Sequence, residues 1–80
     1  MSNTIDNLNI FPNPTNISWK ISSQNNISSI VIYDLLGKNV INITPNSKDA
    51  FVDATSIKSG IYLAQINTEK GILTKKLIKK

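Results

Sequence analysis

Period-two alternation of branched apolar residues with polar ones runs through nearly the whole chain, and it leaves room for little but β-structure. The run NISWKIS (16–22) sets Ile17, Trp19 and Ile21 on one side against Ser18 and Lys20, the pattern of a half-buried strand. SSIVIYD (28–34) is apolar on both sides, Ile30 and Ile32 against Val31 and Tyr33, until Asp34, and so reads as a central strand. KNVINIT, GIYLAQINT and GILTKKLIKK alternate in the same way. DNLNIF (6–11) supplies a first strand and AFVDA (50–54) the weakest one. β-branched side chains crowd every run, and no stretch repeats at helical spacing for a useful length.

Turn signals punctuate these runs about every ten residues. YDLLGK places Asp34 where a type I turn favours its first residue and Gly37 where the chain must take positive φ, which suits a hairpin with a glycine bulge. NTEKGI repeats the device with Gly71, and SIKSGIY uses Gly60 to turn into a strand. TPNSKDA (44–50) reads as a polar loop around Pro45. In FPNPTN, Pro12 and Pro14 lack donors and push Phe11 and Asn13 toward extended geometry, so the segment must follow an edge or cross between layers. The pattern predicts an all-β fold, a small antiparallel sandwich or barrel of about seven strands. Residues 1–4 read as the end of an upstream linker and 5–80 as a single domain.

The residue inventory argues against chemistry. In 80 residues there is neither cysteine nor histidine, so disulfide and zinc staples and the usual nucleophile–base pairs are excluded. The carboxylates Asp6, Asp34, Asp49, Asp53 and Glu69 are spread over separate turns, where Asp34 and Asp53 serve as caps. No metal or cofactor set is expected, and enzyme is the wrong class. Nine lysines without one arginine give a net charge of +4 and no bidentate fork for nucleic acid. The tail TKKLIKK splits its charge: Lys75 and Lys79 share one strand face, Lys76 and Lys80 the other. That division speaks against a membrane patch as well as a nucleic-acid patch. No apolar run is long enough to span a bilayer, and the first residues do not form a signal peptide. Trp19, Tyr33 and Tyr62 fit a core; a stacking platform for sugars is the other use open to them.

The order of four motifs carries the reading further. FPNP, then IVIYDLLGKNV, then SIKSGIYLAQINTEKG, then a closing KKLIKK resemble the C-terminal sorting domains, type A, of the type IX secretion system of Bacteroidota, over residues 10–80. Two departures are visible: Phe11 stands where tyrosine is common, and the glycine often found after Pro-Asn-Pro is missing. The resemblance implies an Ig-like sandwich of seven strands that serves as a secretion address. Cargo fused on its N-terminal side would cross the inner membrane by an ordinary signal and fold in the periplasm. It would then pass the outer-membrane translocon to the cell surface or medium, and a sortase-like peptidase could remove the domain. Lys75, Lys76, Leu77, Ile78, Lys79 and Lys80 match the terminal motif and become candidates for contact with the translocon or its shuttle protein, by strand addition at a basic edge. Pro12, Asn13, Pro14, Asp34, Gly37, Lys38, Gly60, Tyr62 and Gly71 would serve the fold. Neither nucleic acid nor membrane insertion is expected. The competing reading is an ancillary Ig-like module that binds carbohydrate or spaces other domains.

Overall fold

The computed structural model describes residues 8–80. The linker expected at 1–4, and Asp6 and Asn7 of the first expected strand, lie outside them. Six strands follow in order: β1 (Leu8–Phe11), β2 (Ser18–Asp34), β3 (Asn39–Ile43), β4 (Ser47–Asp53), β5 (Gly60–Thr68) and β6 (Gly71–Lys79). Every pairing between them is antiparallel, and the six form one curled sheet.

β2 organises the molecule. Its first half pairs with β1 and β4, its second half with β3 and β5, and β6 lies outside β5. The register slips between Ser22 and Ile27 against β4, and between Ile27 and Ser29 against β5. The strand bends there, because an irregular ladder frees the backbone to turn. The two runs NISWKIS and SSIVIYD are therefore one 17-residue strand, which is why about seven expected strands become six. β3 and β4 pair along successive stretches of β2, separated by a short break in which Asn46 takes φ 49°. Asparagine tolerates that region better than most residues.

The expected loop over 44–50 is thus too long. Ser47, Lys48, Asp49 and Ala50 are already strand. Their polarity suits an edge strand, which draws its ladder bonds from the backbone whatever its side chains. Within AFVDA, Ala50, Val52 and Ala54 turn inward and Phe51 outward.

One apolar cluster gathers the inward residues of both halves, among them Trp19, Ile21, Ile27, Ile30, Ile32, Val52, Ala64, Ile66 and Leu77. Each fully buried isoleucine contributes about 1.5–3 kcal/mol of transfer free energy. Ile17 does not join them and is 65% exposed. The strand starts one residue after it, and before that the Thr15 hydroxyl accepts from the amides of Ile17 (3.4 Å) and Ser18 (3.2 Å) and donates to the Ser18 carbonyl (2.6 Å). This turn breaks the alternation and faces Ile17 outward.

The segment with the two prolines crosses from β1 to the end of β6, as the missing donors require. The Thr15 amide donates to the Ile78 carbonyl at 3.0 Å and the Lys80 amide to the Thr15 carbonyl at 2.7 Å. This short parallel bridge ties the beginning of the described chain to its last residues.

Candidate functional site

β6 places the six tail residues by strand geometry alone. Leu77 is fully buried, and Lys75 and Lys79 share its inward phase. Lys76, Ile78 and Lys80 take the opposite phase, with the side chains of Lys76 and Lys80 exposed. Lys76 stands opposite Leu63, which stands opposite Tyr33; Ile78 stands opposite Ile61. The outward residues of the tail therefore border an apolar strip on the outer surface of the sheet.

Lys79 is spent on the fold. Its ammonium donates to the carbonyls of Ala54 (2.7 Å) and Ile57 (2.8 Å), fastening β6 to the β4–β5 connection. The same connection receives the Asp53 carboxylate, which accepts from the amide (2.9 Å) and hydroxyl (2.7 Å) of Thr55. Those two bonds, and to a smaller degree the Lys79 charge, hold Asp53 below its ordinary 3.8.

Asn13 acts as a surrogate strand residue. Its amide donates to the Lys76 carbonyl at 3.0 Å, and its side-chain oxygen accepts from the Ile78 amide at 2.9 Å. Together with Thr15 it occupies the outer edge of β6 from Lys76 to Lys80, where strand addition was expected. Pro12 and Pro14, both preceded by cis peptide bonds, hold Asn13 between them. They also line a cleft of about 430 Å³ with Thr15, Ile17 and Lys80.

The remaining motif residues build turns. Asp34 Oδ1 accepts from the amides of Leu36 and Lys38, both at 2.9 Å, and Gly37 takes φ 87°. Gly71 takes φ 136° in the β5–β6 turn, and Gly60 opens β5. The Tyr62 hydroxyl donates to the Lys58 carbonyl at 2.6 Å, as tyrosines do at corners of β-sandwiches. Asp34, Lys38 and Tyr62 line a second open cleft, of about 470 Å³, with Ile57 and Lys58. Among the described residues, no three carboxylates come together as a metal set would need.

Trp19 and Tyr62 are buried and Tyr33 is half-buried, so these three do not make an exposed platform. The exposed aromatics are others. Phe11, Lys20 and Phe51 stand side by side across β1, β2 and β4, with the Lys20 ammonium 6.0 Å from the Phe11 ring centre. Sequence reasoning missed this row and also the exposed pair Leu35 and Leu36. The alternation in AFVDA held the signal for Phe51, since Ala50 and Val52 occupy the inward phase.

Residues 9–80 match a family described as the secretion system C-terminal sorting domain. The chain belongs to that family. No curated protein gives a significant match. As a sorting domain of the type IX system, the chain is a C-terminal signal for secretion, in a family that is not one of enzymes. Membership implies the secretion machinery as partner, cargo on the N-terminal side, and delivery to the cell surface or medium.

Proposed function

We propose that the outward residues of the tail, Lys76 and Ile78 on the last strand and Lys80 just past it, are what the translocon or its outer-membrane shuttle protein reads, and that Lys75, Leu77 and Lys79 hold the strand in place. The observation that carries this reading is the division of the tail into two faces. Lys79 is bonded to two carbonyls while Lys76 and Lys80 project from an exposed surface. Because Asn13 and Thr15 fill the strand edge, recognition runs through side chains rather than through an added strand. The cargo crosses the inner membrane by its own signal and folds in the periplasm before translocation. A sortase-like peptidase then removes the sorting domain, or the cargo is released with it.

The test is a reporter with an ordinary N-terminal signal placed ahead of residues 1–80, expressed in a Bacteroidota strain that has the secretion system and in a translocon-deficient sibling. The wild-type fusion is expected outside the first strain and in the periplasm of the second. Lys76→Ser/Lys80→Ser should stay in the periplasm of both while melting like the wild type. Undiminished export of that variant would sink the assignment of the tail.

One observation favours a second reading, an ancillary carbohydrate-binding or spacer module: Phe11 and Phe51 stand exposed on either side of Lys20. On that reading the tail is dispensable, and Phe51→Ala abolishes polysaccharide binding without unfolding the domain.

A further inference from the structure

The outer edge of β6 is covered over only part of its length. Ile78 and Lys80 turn their amides away from β5, since the first donates to the Asn13 side chain and the second to the Thr15 carbonyl. Outward and inward ladder groups alternate along a strand, and the register of β6 on β5 runs unbroken from Gly71 to Lys79. The amides of Ile72, Thr74 and Lys76 and the carbonyls of Ile72 and Thr74 therefore face the same way as those of Ile78. The bonds from Asn13 end at the Lys76 carbonyl. Among the described residues, no strand pairs with β6 on that side of residues 71–75.

The other edges of the sheet are interrupted. β1 runs after four residues into Pro12, β3 slips against β2 at Tyr33, and Asn46 breaks the line between β3 and β4. Such devices keep an edge from pairing with other chains. Residues 71–74 have none of them: no charge, no proline and no slip, with Ile72 exposed and Leu73 half-buried.

We propose that this open stretch takes an extended, acidic segment of the protein that reads the tail, added as a further strand beside residues 71–76. This rests on the sorting-tail reading above and leaves its side-chain contacts in place, because the added strand stops where Asn13 begins. Five backbone groups in a row ask for a strand, whose own backbone supplies the affinity. Charge selects its composition. Lys75 and Lys76 close the open stretch, one on each face of β6, and Lys70 stands in the turn before it. Glu69 leans the other way, accepting from the Asn26 amide of β2 at 3.4 Å. A neighbouring strand thus meets cations on both faces, which favours carboxylates opposite them. A second copy of the chain does not fit. Antiparallel pairing about Thr74 sets Ile78 of one copy opposite Lys70 of the other, in the space that Asn13 fills. Parallel pairing in register sets the two Asn13 side chains against each other.

The experiment uses the same reporter fusion. Thr74→Pro deletes one outward amide, and proline is tolerated on an edge strand at a position whose N–H faces outward. Its export should fall about tenfold or more, the loss expected from a missing hydrogen bond and a blocked approach, while its melting stays near that of the wild type. Thr74→Val keeps the amide and should be exported normally. Ile72→Glu should be exported poorly and Ile72→Lys well, since only the first repels carboxylates. In the purified 80-residue chain the Ile72 and Thr74 amides should exchange fast and the Ile78 amide slowly. Adding whichever of the translocon and the shuttle protein binds the chain should slow the first two. If the wild-type fusion stays in the periplasm, the sorting-tail reading itself fails. Wild-type export with undiminished export of Thr74→Pro, or with equal export of the two charged variants, overturns the added strand alone. So does binding that leaves the two amides fast. Should Thr74→Pro fail to fold, the charged pair decides. Slow exchange of the Ile72 and Thr74 amides in the chain alone would also overturn the proposal. Size-exclusion runs would then tell a self-paired dimer from a monomer that covers its own edge.

Discussion

The Lys79 ammonium donates to the Ala54 carbonyl at 2.7 Å, so the end of the last strand is fastened to the β4–β5 connection by a charge as well as by its ladder. A second carbonyl, from Ile57, shares the same ammonium. Lys79→Met keeps the aliphatic stem and removes both bonds. Hydrogen bonds to charged groups contribute about 1.5–3 kcal/mol, and partial exposure places this pair near the lower end. A loss of about 1–2 kcal/mol is expected, with roughly 4–8 °C of melting temperature for each kcal/mol in a domain of this size. Lys76→Met should leave the melt where it was. The fluorescence of the single, buried Trp19 follows both transitions. Equal melting of the two variants would contradict the role given to Lys79.

Asn13 replaces a neighbouring strand with one side chain, and its two bonds can be separated. Asn13→Ala removes both and should cost about 1 kcal/mol, the net worth of ordinary hydrogen bonds where water can take over. Asn13→Asp keeps the oxygen that accepts from the Ile78 amide and loses only the donor to the Lys76 carbonyl. Amide hydrogen exchange at Ile78 should therefore quicken in the alanine variant and stay slow in the aspartate variant. Equal exchange in both would show that Asn13 does not protect this edge. An uncovered edge also invites pairing between copies, so the alanine variant should self-associate more readily in size-exclusion runs.

Much of this architecture was legible from alternation. Trp19, Ile21, Ile30, Ile32 and Ile66 fall on the buried side because each lies in phase with its strand, and the Asp34–Gly37 turn follows from the stereochemistry of two residues. The failures are physical as well. Ile17 continues the alternation in the sequence, but the Thr15 hydroxyl bonds hold it in a turn and the strand starts only at Ser18. Polar Ser47–Asp49 resembles a loop, since edge strands carry no hydrophobic mark. The bend in β2 makes one strand of two apolar runs that the polar residues 23–26 separate in the sequence. At the candidate site, periodicity gave the division of the lysines between faces. The fastening of Lys79 to Ala54 and Ile57, and the hold of Asn13 on Lys76 and Ile78, span more than twenty and sixty residues. No local pattern encodes such contacts.

The two hairpin glycines should respond differently to substitution. Gly37, at φ 87°, lies near the left-handed region, and a Cβ built there meets nothing within 4 Å. Gly37→Asn should therefore cost little, and Gly37→Ala about 1 kcal/mol, all of it backbone strain. Gly71, at φ 136°, lies outside the region that asparagine tolerates, although its surroundings are equally open. Gly71→Asn should cost clearly more than Gly37→Asn. Urea titrations give the comparison as a shift in midpoint at unchanged slope. Equal shifts would mean that the β5–β6 turn relaxes to another geometry.

Around neutral pH stability should be nearly flat, because the chain has no histidine, and on the acid side the carboxylates govern its decline. Asp53 is the carboxylate whose behaviour follows from its bonds. The Thr55 amide first, then the Thr55 hydroxyl and the Lys79 charge, favour its ionised form and hold it below 3.8 when folded. A depressed folded value means that the stabilisation is fully present above the unfolded value and is lost as the pH falls through the folded one. Stability should thus be flat with respect to this group at neutral pH and decline below about pH 4. Asp53→Asn should remove its share of the acid-side loss. Thr55→Ala, which deletes the hydroxyl and leaves the amide, should move the Asp53 midpoint only part of the way back toward 3.8. NMR titration of the Asp53 carboxyl carbon measures that midpoint directly. A midpoint at or above 3.8 in the wild type would show that the Thr55 bonds do not persist in solution. In that case the connection would rest on the Lys79 ammonium, the Ala54 amide bond to the Ile17 carbonyl and the Tyr62 hydroxyl, and Lys79→Met should then loosen it more than it does with the Thr55 bonds in place.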